Sequence, residues 1–208
     1  MAFKIIAPKI RFMEDYDWDD KDECVLYSAH YKTTPDIGMT LFHQTIDSCQ
    51  FDDVDFQNID FDHVALLDVI FNHCDLSNKH FDDVLVGRVR FIDCKMMGTT
   101  FIGASMQDVL FDHCQLAYSS FGNTDFKKVR FQSCVLDDAY FYDQRMMKAE
   151  FDNCSLVGVE LLNVPMANID VSTCDISSMT IDLHSLKGMI VNEMQCVQLA
   201  SLLGVKVK

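Results

Sequence analysis

From Leu41 to Val191 every fifth residue is apolar. The series opens Leu41, Ile46, Phe51, Phe56, Phe61, Leu66, Phe71, Leu76, Phe81 and closes Met166, Val171, Ile176, Ile181, Leu186, Val191, giving 31 positions in one register. With 49% of the chain apolar, chance produces such a run roughly once in 10⁹ trials. Neither common element has this period. Five residues of α-helix turn about 500°, so the apolar residues would spiral around the axis. In a flat strand, positions five apart lie on opposite faces. The pattern fits a chain that turns a corner every five residues and points one side chain inward each time. Four such corners close a coil of 20 residues. A fixed repeat of this kind specifies a solenoid, in which each unit buries its apolar face only against its neighbours.

A second period supports the square. Cys74, Cys94, Cys114, Cys134, Cys154 and Cys174 are spaced by 20, each two residues before a five-fold position. Phe51, Phe71, Phe91, Phe111, Phe131 and Phe151 form one 20-residue series; Phe61, Phe81, Phe101, Phe121 and Phe141 form another, offset by ten. These series predict columns on opposite sides of the coil. The position two before the five-fold residue is mostly small or apolar; Gln44, Lys79, Gln144 and His184 depart from this. At those four sites the sequence predicts a bulge or an outward side chain.

Units such as CDLSN (74–78), CQLAY (114–118) and VDFQN (54–58) resemble the pentapeptide-repeat family, whose unit reads small, polar, Leu or Phe, then two variable residues. The resemblance covers about three quarters of the chain. It implies an all-β fold, a right-handed quadrilateral β-helix. Residues 41–191 are then the repeat domain. Residues 1–40 keep the register only in part: Cys24, Leu26, Ala29 and Tyr31 fit, but Asp36 falls on a core slot. This segment reads as a cap or an irregular first coil, and Lys32–Gly38 as a turn that could project. After Val191 the period changes. Asn192 suits a helix N-cap with Gln195 three residues on, and Gly204 suits a helix stop. Residues 192–208 are expected to form a short C-terminal α-helix and tail.

No stretch approaches 18 apolar residues, so no membrane span is expected. The opening MAFKIIAPKIRF is broken by Pro8 and by charges and makes a poor signal peptide. Nine cysteines, placed on a packing register, argue for reduced thiols and a cytoplasmic location. A line of cysteines along a solenoid does not converge on a point, so it reads as packing rather than a metal site. His73, Asp93 and His113 stack on an outward position, with no phosphate loop or nucleophile motif in company. No cofactor, metal or enzymatic activity is expected.

The net charge is −15. Residues 14–83 carry 18 acids and three bases, and residues 84–208 carry 14 acids and 11 bases. Asp52, Asp53, Asp55, Asp60, Asp62, Asp68, Asp75, Asp82 and Asp83 lie on outward sites, as an acidic partner-binding surface would. Direct nucleic-acid binding has the wrong sign of field. Mimicry of duplex DNA, itself a rod with one negative charge per about 1.7 Å of axis, has the right one. In the tail, Met194, Val197, Leu199, Leu202, Leu203, Val205 and Val207 are too apolar for a lone exposed helix. They form either a cap over the last coil or a dimer interface. The segment LKGMIVNEMQCVQLASLLGVKV (186–207) is similar to the tail of Qnr-type pentapeptide proteins, which dimerise tail to tail. That resemblance implies a homodimer that binds type II topoisomerases (DNA gyrase, topoisomerase IV) and protects them from fluoroquinolones. The alternative is a generic acidic scaffold for another protein. Some Qnr-type proteins carry projecting loops that aid protection, and the unbroken register leaves no room for one between 41 and 191.

Overall fold

The computed structural model describes residues 3–10, 13–16, 18, 26–36, 38–200, 202 and 204–206. They form a β-solenoid of about eight turns with a short C-terminal helix. Each turn has four sides, and each side is centred on one five-fold residue. Side one holds Phe51, Phe71, Phe91, Phe111, Phe131 and Phe151. Side two holds Phe56, Leu76, Met96, Leu116 and Leu136. Side three holds Phe61, Phe81, Phe101, Phe121 and Phe141. Side four holds Leu66, Val86, Met106, Phe126 and Met146. All but the partly buried Met146 are buried.

Successive coils pair in parallel at a 20-residue offset, Phe71 with Phe91, Phe91 with Phe111, Phe111 with Phe131. Sides four and one together form eight-residue strands, Ala65–Asn72, Leu85–Ile92, Ser105–Asp112 and Asp125–Gln132. In the middle coils sides two and three pair through single bridges such as Asp75 with Lys95 and His80 with Thr100, while towards the ends side three pairs as short strands, Met39–Phe42 with Ile59–Asp62 and Tyr140–Tyr142 with Glu160–Leu162. The offset stacks like on like. Phenylalanine rings of side one lie 4.8–5.2 Å apart and nearly parallel from Phe71 to Phe151. Those of side three stack likewise, and the two columns meet edge to face, as at Phe111 and Phe121. Both arrangements suit the ring quadrupole.

At several interior positions two before a five-fold residue the side chain donates to a carbonyl of the coil below, while others hold Val, Ile or Ala. Cys74 Sγ donates to Phe51 O at 3.4 Å and Cys114 Sγ to Phe91 O at 3.3 Å. Thr99 Oγ1 and Thr124 Oγ1 reach the equivalent carbonyls of Leu76 and Phe101. This corrects the expectation for two of the four exceptions. Gln144 is buried and its Nε2 donates to Phe121 O at 2.7 Å; Lys79 is buried and its Nζ donates to Gln57 O at 3.2 Å. A polar group is tolerated inside because it satisfies a carbonyl of the coil below. Gln44 and His184 are exposed.

Both ends are covered. Trp18 stacks on Tyr31 at 4.2 Å, and Tyr31 on Phe51 at 5.5 Å, extending the side-one column. Leu26, Ala29 and Tyr31 are buried, as their register predicts; Cys24 lies outside the described residues. Lys32–Gly38 does not project. Thr34 Oγ1 accepts from Asp55 N, Pro35 O accepts from Asn58 Nδ2, and Pro35 is buried, so the turn lies along the next coil. Residues 3–10 are neither cap nor coil. They run lengthwise along the outside of the solenoid, a placement considered below. At the other end Asp182 accepts amide hydrogens from Asn163, Ser185 and His184, which hold its carboxyl down to about 2, and it caps the short helical turn Leu183–Leu186. No helix among the described residues is long and apolar enough to cross a membrane.

Candidate docking surfaces

The nine nominated carboxylates do not form one surface. Asp52 lies on side one, with Asp53 at the corner that follows. Asp55 and Asp75 lie on side two, Asp60, Asp62 and Asp82 on side three. Asp83 is at the corner after side three and Asp68 at the corner after side four.

Many are there for backbone reasons. Every non-glycine residue with positive φ is a corner, two after a five-fold position, and Asp53, Asp68 and Asp83 are among them, with φ of 55–57°. So are His73, Asp93 and His113, which explains that outward stack. Left-handed backbone disfavours most side chains and favours Gly, Asn, Asp and His. Asp55 and Asp75 accept the amides of Gln57 and Ser77 two residues on, closing Asx turns. Asp52 accepts from His30 Nε2 at 2.6 Å and from Gln50 and Asn72; burial works against its ionisation, but these donors hold its carboxyl below the usual range. Asp68 is 6% exposed. Burial opposes its charge too, and Arg88 and the Lys9 amide outweigh that.

On and beside side three a cluster forms from Asp60, Asp62 and Asp82 and the corner residue Asp83. Asp60 is the most open, its side chain 79% exposed with Lys79 Nζ 3.9 Å away. Asp62 pairs with His63 at 2.6 Å, and Asp82 accepts from Ile102 N at 2.7 Å. Asp83 is exposed. Two coils rise about 9.6 Å, so the cluster places one carboxylate per about 2.4 Å of axis. Duplex DNA places one per about 1.7 Å. The row stops at the next coil, where Ile102 and Gly103 take the places of Asp82 and Asp83.

The tail divides its apolar residues between two directions. The helix Glu193–Ala200 opens with a reciprocal capping box: Gln195 N donates to Asn192 Oδ1 at 3.0 Å and Asn192 N to Gln195 Oε1 at 2.8 Å. Gln195 Nε2 reaches on to Val171 O and Cys174 O, each at 2.8 Å. Gln195 and, one turn later, Leu199 are buried against the last coil. Met194 (75% exposed), Val197, Leu202 and Val205 point away from it. Leu203 and Val207 lie outside the described residues. Gly204 takes a φ of +73°, and Val205 N bonds back to Ala200 O.

Residues 64–141 match the family model described as pentapeptide repeat region. This stretch resembles that repeat. The solved structures similar to the chain include full-length QnrB1, described as a plasmid-mediated fluoroquinolone resistance protein, at 16% identity, 86% of this chain, 89% of that chain and a TM-score of 0.44. A trypsin-treated QnrB1 variant is similar at 19% identity, 96% of this chain, 94% of that chain and a TM-score of 0.48. HetL, described as a pentapeptide repeat protein involved in heterocyst differentiation regulation from the cyanobacterium Nostoc sp. strain PCC 7120, is similar at 13% identity, 81% of this chain, 89% of that chain and a TM-score of 0.31. No curated protein sequence gives a significant match.

Within the solenoid the cysteine column is interior packing. Cys49, Cys74, Cys94, Cys114, Cys134, Cys154 and Cys174 are buried free thiols, and burial pushes the Cys49 thiol up to about 11. Among the described residues no group of three or more His, Cys, Asp or Glu is arranged to hold a metal. An open concavity of about 660 Å³ lies where the broad sheet of sides four and one steps down, near Met146, Lys148 and Pro165. Its Arg130 and Glu150 are already paired at 2.5 Å.

Proposed function

We propose that this chain is a non-enzymatic docking protein, a tail-to-tail dimer whose acidic third side occupies a basic, DNA-binding groove of a type II topoisomerase (DNA gyrase or topoisomerase IV) and relieves inhibition by fluoroquinolones. The observation that carries the reading is the density of carboxylates at Asp60, Asp62, Asp82 and Asp83. Turn chemistry does not require that charge, because Asn serves a left-handed corner as well as Asp does. Asp60 has no turn to build at all. The similarity of residues 186–207 to Qnr-type tails supports the choice of partner, and Met194, Val197, Leu202 and Val205 supply an apolar face for the two-fold contact.

Neutralising Asp60, Asp62 and Asp83 to Asn keeps backbone preference and shape while removing three charges. Asp82 is left in place because it holds Ile102 N. The triple variant is expected to bind gyrase at least tenfold more weakly, about 1.4 kcal/mol, in a calorimetric titration. Its unfolding midpoint should match that of the wild type. Unchanged affinity would remove side three from the contact. For the dimer, Val197→Asp is the informative substitution, with monomers expected by light scattering. A dimer that survives it, or a wild type already monomeric, would leave the helix as a cap alone.

A second reading, a scaffold for some other basic protein, draws on the shortness of the acidic row. A contact two coils long suits a smaller partner as well as a DNA groove. Binding that duplex DNA fails to compete would favour it.

A further inference from the structure

Residues 3–10 pair with no strand, yet they are anchored at regular intervals. Lys9 N donates to Asp68 Oδ1 at 2.7 Å, Ile6 N to Asp108 Oδ1 at 3.0 Å and Phe3 N to Glu150 Oε1 at 3.0 Å. Arg130 Nη2 donates to Phe3 O at 2.6 Å, and its guanidinium carbon stands 5.5 Å from the Phe3 ring. The donors are three residues apart (9 − 6 and 6 − 3). The acceptors are 40 and 42 residues apart (108 − 68 and 150 − 108), two coils and then two coils plus two residues, the last step carrying the contact from the corner onto side one. Three extended residues span about 10 Å, and two coils rise about 9.6 Å. The strap and the solenoid therefore share a pitch.

The acceptors are themselves held in a ladder. Asp68 is gripped by Arg88 through Nε at 2.6 Å and Nη2 at 2.5 Å, Asp108 stands 3.5 Å from Lys128 Nζ, and Glu150 pairs with Arg130. Asp108 is 1% exposed, although other corner acids such as Asp53 and Asp83 face solvent. By contrast the strap commits little of itself. Ile5 is buried, while Lys4, Ile6, Ala7 and Lys9 are exposed. Recognition rests on backbone N–H groups, one carbonyl, the buried Ile5 and the Phe3 ring beside Arg130, which places few demands on sequence. Residues 3–13 include Lys4, Lys9 and Arg11 and no acid. An element with so few buried contacts opens at low local cost. Asp108 Oδ2 has no hydrogen-bond partner among the described residues, so the present occupant leaves an acceptor unused.

We propose that the edge formed by the corner residues Asp68 and Asp108 and by Glu150 on side one is a docking track for an extended, cationic segment of a partner protein, and that residues 3–10 occupy it in cis as a displaceable cover. The partner segment would run lengthwise, offering an N–H every third residue. The tethered strap competes at high effective concentration, so the track is masked in the intact chain.

The probe is a fluorescein-labelled peptide of residues 1–12, MAFKIIAPKIRF, followed by anisotropy. A chain lacking residues 2–10 should bind it saturably, and the intact chain at least tenfold more weakly. The same peptide N-methylated at positions 6 and 9, with every side chain retained, should lose binding, as should Asp68→Asn with Asp108→Asn in the truncated chain. No saturable binding to a truncated chain that keeps its far-ultraviolet spectrum would overturn the proposal. So would equal binding of the N-methylated peptide. Should the truncated chain fail to fold, hydrogen exchange on the intact chain decides. The Ile6 and Lys9 amides should exchange at least 100-fold faster than those of Val109 and Phe111, and excess unlabelled peptide should speed them further. Strap amides as slow as the core would show a fixed structural element and overturn it.

Discussion

Phe111→Ala should lower the unfolding free energy by about 3–5 kcal/mol, the range for emptying a filled aromatic slot. Phe111 is fully buried, stacked between Phe91 at 4.9 Å and Phe131 at 4.8 Å, with Phe101 and Phe121 at its edges. Four ring contacts go with the one side chain, and the stacked coils above and below cannot collapse into the gap without breaking their own ladders. In a solenoid each coil is stabilised only by its neighbours, so a fault in the middle weakens coupling between the halves. Urea unfolding followed by far-ultraviolet circular dichroism should therefore show a shallower transition as well as a lower midpoint. Phe151→Ala serves as the comparison. Phe151 has a ring below it, Phe131 at 5.0 Å, but Val171 above. It should cost visibly less. Equal losses at the two positions would mean that the ring column adds nothing beyond single-site burial.

Gln195→Leu should cost about 3 kcal/mol, with the loss confined to one end. The side chain closes the capping box with Asn192 and satisfies Val171 O and Cys174 O on the open last coil. Leu keeps the volume and removes those bonds. A buried acceptor left unpaired costs about 1–3 kcal/mol, and the lost cap about 1 kcal/mol more. Hydrogen exchange should accelerate at Asp175 and Val171 while Phe111 stays protected. Uniform acceleration along the chain would show that the cap governs the whole rod, and no change would show that water replaces it.

The interior of this molecule was readable from its period alone. The five-fold series and the 20-residue columns of Cys and Phe lie where their spacing puts them. The corner rule is equally present in the sequence: His63, Asp68, His73, Asn78 and Asp83 are residues that tolerate positive φ, five apart. Reading it would have assigned part of the acidity to turn geometry. Lys79 and Gln144 look wrong as interior residues until the carbonyl each satisfies, 22 or 23 residues back, is known. Leu199 reads as one of the outward tail residues, but the facing of a helix of 8 residues, about two turns, is not set without its support. The strap was beyond reach. KIIAPKI has no period, and its partners lie 59 to 147 residues away. Only the pitch of the finished solenoid makes the spacing of Phe3, Ile6 and Lys9 meaningful.

Supercoiling by purified gyrase in the presence of a fluoroquinolone, titrated with this protein, tests the central claim most directly. Wild-type protein at micromolar concentration should restore supercoiling, and the Asp60→Asn, Asp62→Asn, Asp83→Asn variant should require at least tenfold more. Supercoiling that stays inhibited at every concentration of the folded wild-type protein, or that the variant restores equally well, would contradict it.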